Sequence, residues 1–272
     1  YGTRFVNNTT LSPSTRCDAG LIIEGRDYPA SGDCDISHCT FAWCEYGVQT
    51  VAGYWDGDEP DSEWVPMGAG DNGVHADTSV FSHILFAGVD SCFRIDNEQS
   101  VGMTYQHIDV GGSKAYYPVV FDYDKGGKMT ATTVLINHPH ATVLRVNNYS
   151  GFFNHFDIRG VYWDHFEDDP DLEDVDPLED VHITLCEVAS SAGSKAGQEG
   201  WHIRMSGHLA NDPSTWNSDN TDHVLFKFTS GITNLTTSHM LFDFNNGMPT
   251  TDMTAAGNYY YPNNSGGGSW LH

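Results

Sequence analysis

Val101-Gly-Met-Thr-Tyr-Gln-His-Ile-Asp-Val110 alternates apolar and polar side chains, and a second strand-like run follows at Tyr116–Tyr123. Asp124-Lys-Gly-Gly127 then reads as a hairpin turn into a third run, Lys128–His138. Alternation sends every second side chain to one face, as in a half-buried strand, while Asp and Gly supply the backbone conformations of a tight reversal. A short hairpin joins antiparallel neighbours, so this stretch predicts an antiparallel sheet.

The same texture extends outward in both directions. Leu21–Glu24, Gln49–Trp55, Ser79–Val89 and Cys92–Asp96 precede it, and Ala141–Asn147, Phe152–Phe156, Arg159–Phe166, Val181–Val188, Trp201–Leu209, His223–Thr229 and Ser238–Phe244 follow. Thr, Val, Tyr and Phe fill these segments, and apolar side chains nowhere keep helical spacing. The expected fold is all-β, an antiparallel β-sandwich or jelly-roll-like arrangement of roughly 12–14 strands with little helix. Gly-Ser-Lys-Ala occurs at 112–115 and 193–196 between unlike flanks, so the chain reads as lacking an internal repeat. One domain is expected over residues 1–272, with an extended N-terminal segment at about 1–16 and a Gly/Ser/Asn tail at about 262–272. The polar Thr3–Thr10 stretch has the character of an exposed terminus, or of a strand that adds to a neighbouring copy.

Charge narrows the partners. Twelve Lys+Arg stand against 37 Asp+Glu, for a formal net charge of −25. Nucleic acid is excluded as a partner, since no basic patch can release phosphate counterions. No apolar run reaches the length of a membrane helix, so membrane insertion is not expected. Six cysteines, Cys17, Cys34, Cys39, Cys44, Cys92 and Cys186, make an even set, and sequons stand at Asn7, Asn8, Asn148, Asn234 and Asn263. Together they predict a secreted, disulfide-bonded glycoprotein. The five-residue steps Cys34, Cys39, Cys44 suggest a disulfide knot that includes Cys17, with Cys92 and Cys186 able to close the central region. Zinc sites pair cysteines at shorter spacing and repeat the pair, so zinc does not fit.

The most charged stretch is Asp164–Asp180, in which ten of seventeen residues are carboxylates. Asp169, Asp171, Glu173 and Asp180 fall at the first, third, fifth and twelfth positions of an EF-hand-type loop, with Asp176 among them. Asp174 stands where that loop needs Gly, the last acid is Asp rather than Glu, and the flanks are strand-like, so the motif itself is not present. Its closely spaced hard oxygens still suit calcium, which would offset the repulsion.

Other candidates are ligand platforms and a transition-metal pair. Trp55, Trp64 and Trp216 border Asp- and Asn-rich loops, the combination of apolar face and polar rim that suits a glycan. His138 and His140 stand at i, i+2, a spacing suited to copper or zinc if both imidazoles share a face. No nucleophile motif occurs. The expected function is therefore extracellular binding or surface assembly, structural, adhesive or glycan-binding, stabilised by calcium. Partners would be glycans or other copies of the chain. The alternative is a secreted polysaccharide lyase or glycoside hydrolase, for which Tyr105, His107, Tyr116 and Tyr117 supply acid–base groups.

Overall fold

The computed structural model describes residues 3–6, 17–23, 34–50, 53–56, 63–66, 78–96, 100–111, 118–123, 127–138, 140–147, 155–163, 182–188, 202–209, 226–228 and 239–244. Seventeen strands run in chain order. They are β1 Thr3–Val6, β2 Cys17–Ile23, β3 Asp35–Ala42, β4 Cys44–Thr50, β5 Gly53–Asp56 and β6 Glu63–Pro66. Next come β7 Val80–Ala87, β8 Ser91–Ile95, β9 Ser100–Gly111, β10 Val119–Tyr123, β11 Gly127–Asn137 and β12 His140–Val146. The last five are β13 His155–Trp163, β14 His182–Val188, β15 His202–Leu209, β16 Phe226–Phe228 and β17 His239–Phe244.

The all-β expectation stands, but the antiparallel sandwich or jelly roll does not. One sheet has the order β1-β3-β7-β9-β11-β13-β15-β17 and the other β16-β14-β12-β10-β8-β4-β2. Every pairing within them is parallel. The chain alternates between the two sheets and adds one strand to each per circuit, which defines a two-sheet parallel β-solenoid. Asp124–Gly127 is not a hairpin. It carries the chain from β10 in the even-strand sheet to β11 in the odd-strand sheet. A solenoid corner and a hairpin both need a sharp change of direction, so they share turn residues. Among the described residues, antiparallel pairing occurs only between β5 and β6, a two-stranded excursion between β4 and β7. The N-terminal segment contributes β1, which lies parallel to β3 within the same chain.

A repeat does exist, in burial rather than identity. Met103 and Tyr105, then Ile108 and Val110, point inward from β9, separated by the outward pair Gln106-His107. β11 does the same with Met129 and Ala131, then Val134 and Ile136, around Thr132-Thr133. β13 repeats it with Phe156 and Ile158, then Val161 and Trp163, around Arg159-Gly160. The alternation slips by one residue in the middle of each strand. Ile84, Ile108, Val134 and Val161 share a column, which gives a period of about 25 residues. Such a slip is a bulge, and it costs a left-handed backbone: φ is +52° at His107, +60° at Thr133 and +65° at Gly160. The bulge also explains why β13 looks like two strands in the sequence, divided at Arg159.

Stacking identical strand positions builds the core between the sheets. Phe81 stacks on Tyr105 at 5.4 Å and Phe41 on Phe86 at 5.5 Å, each along the odd-strand sheet. Phe93 and Phe121 meet them from the even-strand sheet. Beside Phe41 and Phe86 the even strands also carry glycine. A Cβ on Gly20 would lie 2.6 Å from Phe41 Cδ1, and one on Gly47 only 2.2 Å from Phe86 Cε1. Corners are equally tight. Trp43 alone links β3 to β4 with φ +60°, and its ring covers Gly88, which has φ +65° at the end of β7.

Candidate functional site

The outer surface of the odd-strand sheet is assembled by the bulges. His38, His83 and His107 each occupy the left-handed bulge position of their strand, with φ between +52° and +55°. Register sets them side by side, so their imidazoles stack face to face: His38 on His83 at 4.7 Å and 3°, His83 on His107 at 4.6 Å and 7°. All three are exposed. The column continues through Thr133 and Gly160. Ring centroids at this spacing follow directly from the separation of parallel strands. Parallel rings aim their nitrogen lone pairs side by side rather than at one point, and among the described residues no group of three His, Cys, Asp or Glu converges to hold a metal.

Two further ring pairs lie on the same sheet. His155 and His202 stack at 5.8 Å, and Tyr162 and His208 at 5.5 Å. Burial, then the neighbouring His202 and Lys128, hold the His155 imidazole below the ordinary histidine range, with Asp157 pulling weakly the other way. This ring is neutral at pH 7. Between these aromatic columns stand Ser37, Ser82, Thr104, Gln106, Thr130 and Thr132. The face is thus a flat lattice of hydroxyls, amides and ring edges.

The even-strand sheet carries a different row. Gln49, Arg94, Asp122, Arg145 and Glu187 are successive register partners, and Lys227 takes the next position. From Arg94 on, charge alternates from strand to strand. Asp122 is 1 % exposed and fully occupied. Ser91 Oγ donates to it at 2.8 Å, Asn147 Nδ2 at 2.8 Å, Arg145 at 2.6 and 3.1 Å, and Arg94 lies 3.1 Å away. Burial raises the pKa of this carboxyl, but the two arginines and Ser91 outweigh it and hold it below the usual carboxylate range. A carboxylate saturated with donors has no lone pair to offer a substrate, so this centre is structural.

The residues expected to act from sequence are dispersed. Asp169, Asp171, Glu173, Asp176 and Asp180, on the connection from β13 to β14, lie outside the described residues; so do Trp216, Asn7, Asn8, Asn148, Asn234 and Asn263, elsewhere in the chain. Register sets Trp55 opposite Trp64 across the β5–β6 hairpin. His138 is buried, its carbonyl accepting a hydrogen bond from Trp163 Nε1 at 2.9 Å, while His140 opens β12 opposite His182. Tyr105 points into the core and His107 to solvent, so they cannot form one acid–base cluster. Tyr116 and Tyr117 lie outside the described residues.

The disulfide framework is also corrected. All six cysteines are free thiols. Two strands separate β8 from β14, which puts Cys92 and Cys186 roughly 14 Å apart, about twice the reach of a disulfide. Cys39 Sγ donates to the Ser37 carbonyl and Cys44 Sγ to that of Ala42, and the crowded cysteines are spread over β2, β3, β4 and the residue before β3 rather than joined in a knot. The imidazole ladder escaped sequence reading, although Ser37-His38-Cys39, Ser82-His83-Ile84 and Gln106-His107-Ile108 repeat one pattern, polar-His-apolar, ahead of a further core residue. Comparison with protein-family models, curated proteins and solved structures finds no match to this chain.

Proposed function

We propose that the chain is a non-catalytic binding and assembly scaffold of the cell exterior, and that the outer face of its odd-strand sheet is the contact surface. One observation supports this most strongly: the in-register, exposed ladder His38–His83–His107, on a face where acids and bases are equal in number. In a chain of net charge −25, the described outward positions of this sheet carry three acids, Asp35, Asp109 and Asp157, and three bases, Lys128, Arg159 and Arg204. Such a face meets a partner without the repulsion that governs the rest of the surface. A lattice repeating along the solenoid axis favours an extended partner with its own repeat over a compact small molecule. Secretion, N-glycosylation at the sequons and calcium on the acidic run belong to the same reading.

The test compares wild type with H83E/H107E in two arms, co-sedimentation with insoluble cellulose or chitin and sedimentation velocity of the protein alone. Wild type is expected to associate in at least one arm and the variant in neither. Equal behaviour of the two proteins, or no association of wild type in either arm, overturns the assignment of this face.

A further inference from the structure

The odd-strand face is polarised along the solenoid axis. Among the described residues, its outward positions on β3, β7 and β9 carry Asp35 and Asp109 and no Lys or Arg. Those on β11, β13 and β15 carry Lys128, Arg159 and Arg204 against Asp157 alone. With histidines neutral, the first half of the face is acidic and the second half basic. Register runs Asp35, Val80, Thr104, Thr130, Asp157, Arg204 along one column. Asp35 and Arg204 are both exposed and stand at the same level along the strands, five strands apart on β3 and β15.

We propose that two copies of this chain meet through the odd-strand face, related by a two-fold axis parallel to the strands. That operation lays β3 of each copy over β15 of the other and sets Asp35 over Arg204 twice, once in each direction. The acidic half of each face then meets the basic half of its partner. The repeat matches by construction, because both lattices are spaced by the same strand separation, so coils of the two copies interleave along their whole length. Six strands about 4.8 Å apart, each with about eight residues rising about 3.3 Å, present on the order of 750 Å² per copy, close to half of a standard interface. The inference rests on the odd-strand face being the contact surface, and it adds the occupant and its orientation.

Sedimentation velocity of the full chain at neutral pH and low salt tests it. Wild type is expected to dimerise, and D35K and R204E each to weaken dimerisation by about tenfold or more. The double variant D35K/R204E restores each contact with reversed sign and recovers the dimer. An equimolar mixture of the two single variants forms a heterodimer. Circular dichroism checks that these surface variants remain folded. A monomeric wild type overturns the proposal; if that monomer is still retained on polysaccharide in a manner sensitive to H83E/H107E, the contact-surface reading survives without it. A dimer that D35K and R204E leave intact uses another surface and also overturns the proposal.

Discussion

Arg145 holds Asp122 with two nitrogens, Nε donating to Oδ1 at 3.1 Å and Nη2 to Oδ2 at 2.6 Å. The pair joins neighbouring strands β12 and β10 on the outside of the even-strand sheet, and Arg94 of β8 closes the row from the other side. Removing the shared carboxylate leaves two guanidinium groups side by side without their counterion. D122A is expected to destabilise the fold by about 3 kcal/mol, measured by urea unfolding, because a broken buried pair strands the charges left behind. A loss below about 1 kcal/mol would mean that solvent takes over the role of the carboxylate.

The same residue sets an acid limit on stability. The donors around Asp122 lower its pKa in the folded state, after offsetting the opposing effect of burial. Its contribution is therefore fully present above the unfolded carboxylate value of about 3.9 and is lost as pH falls through the lower folded value. The melting temperature of wild type should drop as pH falls below about 4, and D122N should show a shallower drop over that window. Parallel curves for the two proteins would assign the acid transition to other carboxylates.

Gly47 and Phe86 illustrate packing between the sheets. A methyl group on Gly47 would stand 2.2 Å from Phe86 Cε1 and 2.8 Å from the Cys92 carbonyl oxygen. G47A is expected to cost about 2 kcal/mol through overpacking. Shortening the ring in G47A/F86L frees the first contact but not the second, so part of the loss should return. A double-mutant cycle measures it, and a coupling near zero would show that the core adapts elsewhere.

Strand positions were legible in the sequence because alternation and β-branched residues mark them locally. Val101–Val110, Lys128–His138 and Ala141–Asn147 coincide with β9, β11 and β12 to within about two residues. Strand direction was not legible. Asp124–Gly127 carries the same chemistry whether the chain returns beside β10 or crosses to the opposite sheet, and only long-range register decides between them. The repeat was hidden because a solenoid conserves inward volume and bulge position, not residue identity. His38, His83 and His107 lie 45 and 24 residues apart in sequence, yet their rings stack with centroids 4.7 and 4.6 Å apart. Cysteine parity misled for a related reason: Cys92 and Cys186 are buried as apolar core residues, where burial also pushes both thiols up and makes them unreactive.

Thiol accessibility should follow that division. Cys17 and Cys34 are half-buried, whereas Cys39, Cys44, Cys92 and Cys186 are buried. Native protein treated with a thiol-specific disulfide reagent should label first at Cys17 and Cys34, with Cys92 and Cys186 reacting only after unfolding. All six should titrate in denaturant without reductant. A shortfall of two thiols, or an intact mass 2 Da lower per missing pair, would show that a bridge forms and would contradict the free-thiol state.

Thr133 offers a test of the bulge column itself. Glycine inside a strand ordinarily weakens it, because the unfolded chain gains freedom and a packing side chain is lost. Thr133 is different: its φ of +60° is a strained conformation for a β-branched residue, and its register neighbour in β13 is Gly160 at +65°. T133G should relieve about 1 kcal/mol of left-handed strain and raise the unfolding midpoint, or at least leave it unchanged. The reciprocal G160A should lower it by about 1 kcal/mol, since a Cβ there meets the Thr133 backbone at 3.4 Å in addition to the unfavourable φ. Paired urea titrations of the two variants separate this account from ordinary strand propensity, which predicts that T133G lowers the midpoint and G160A raises it.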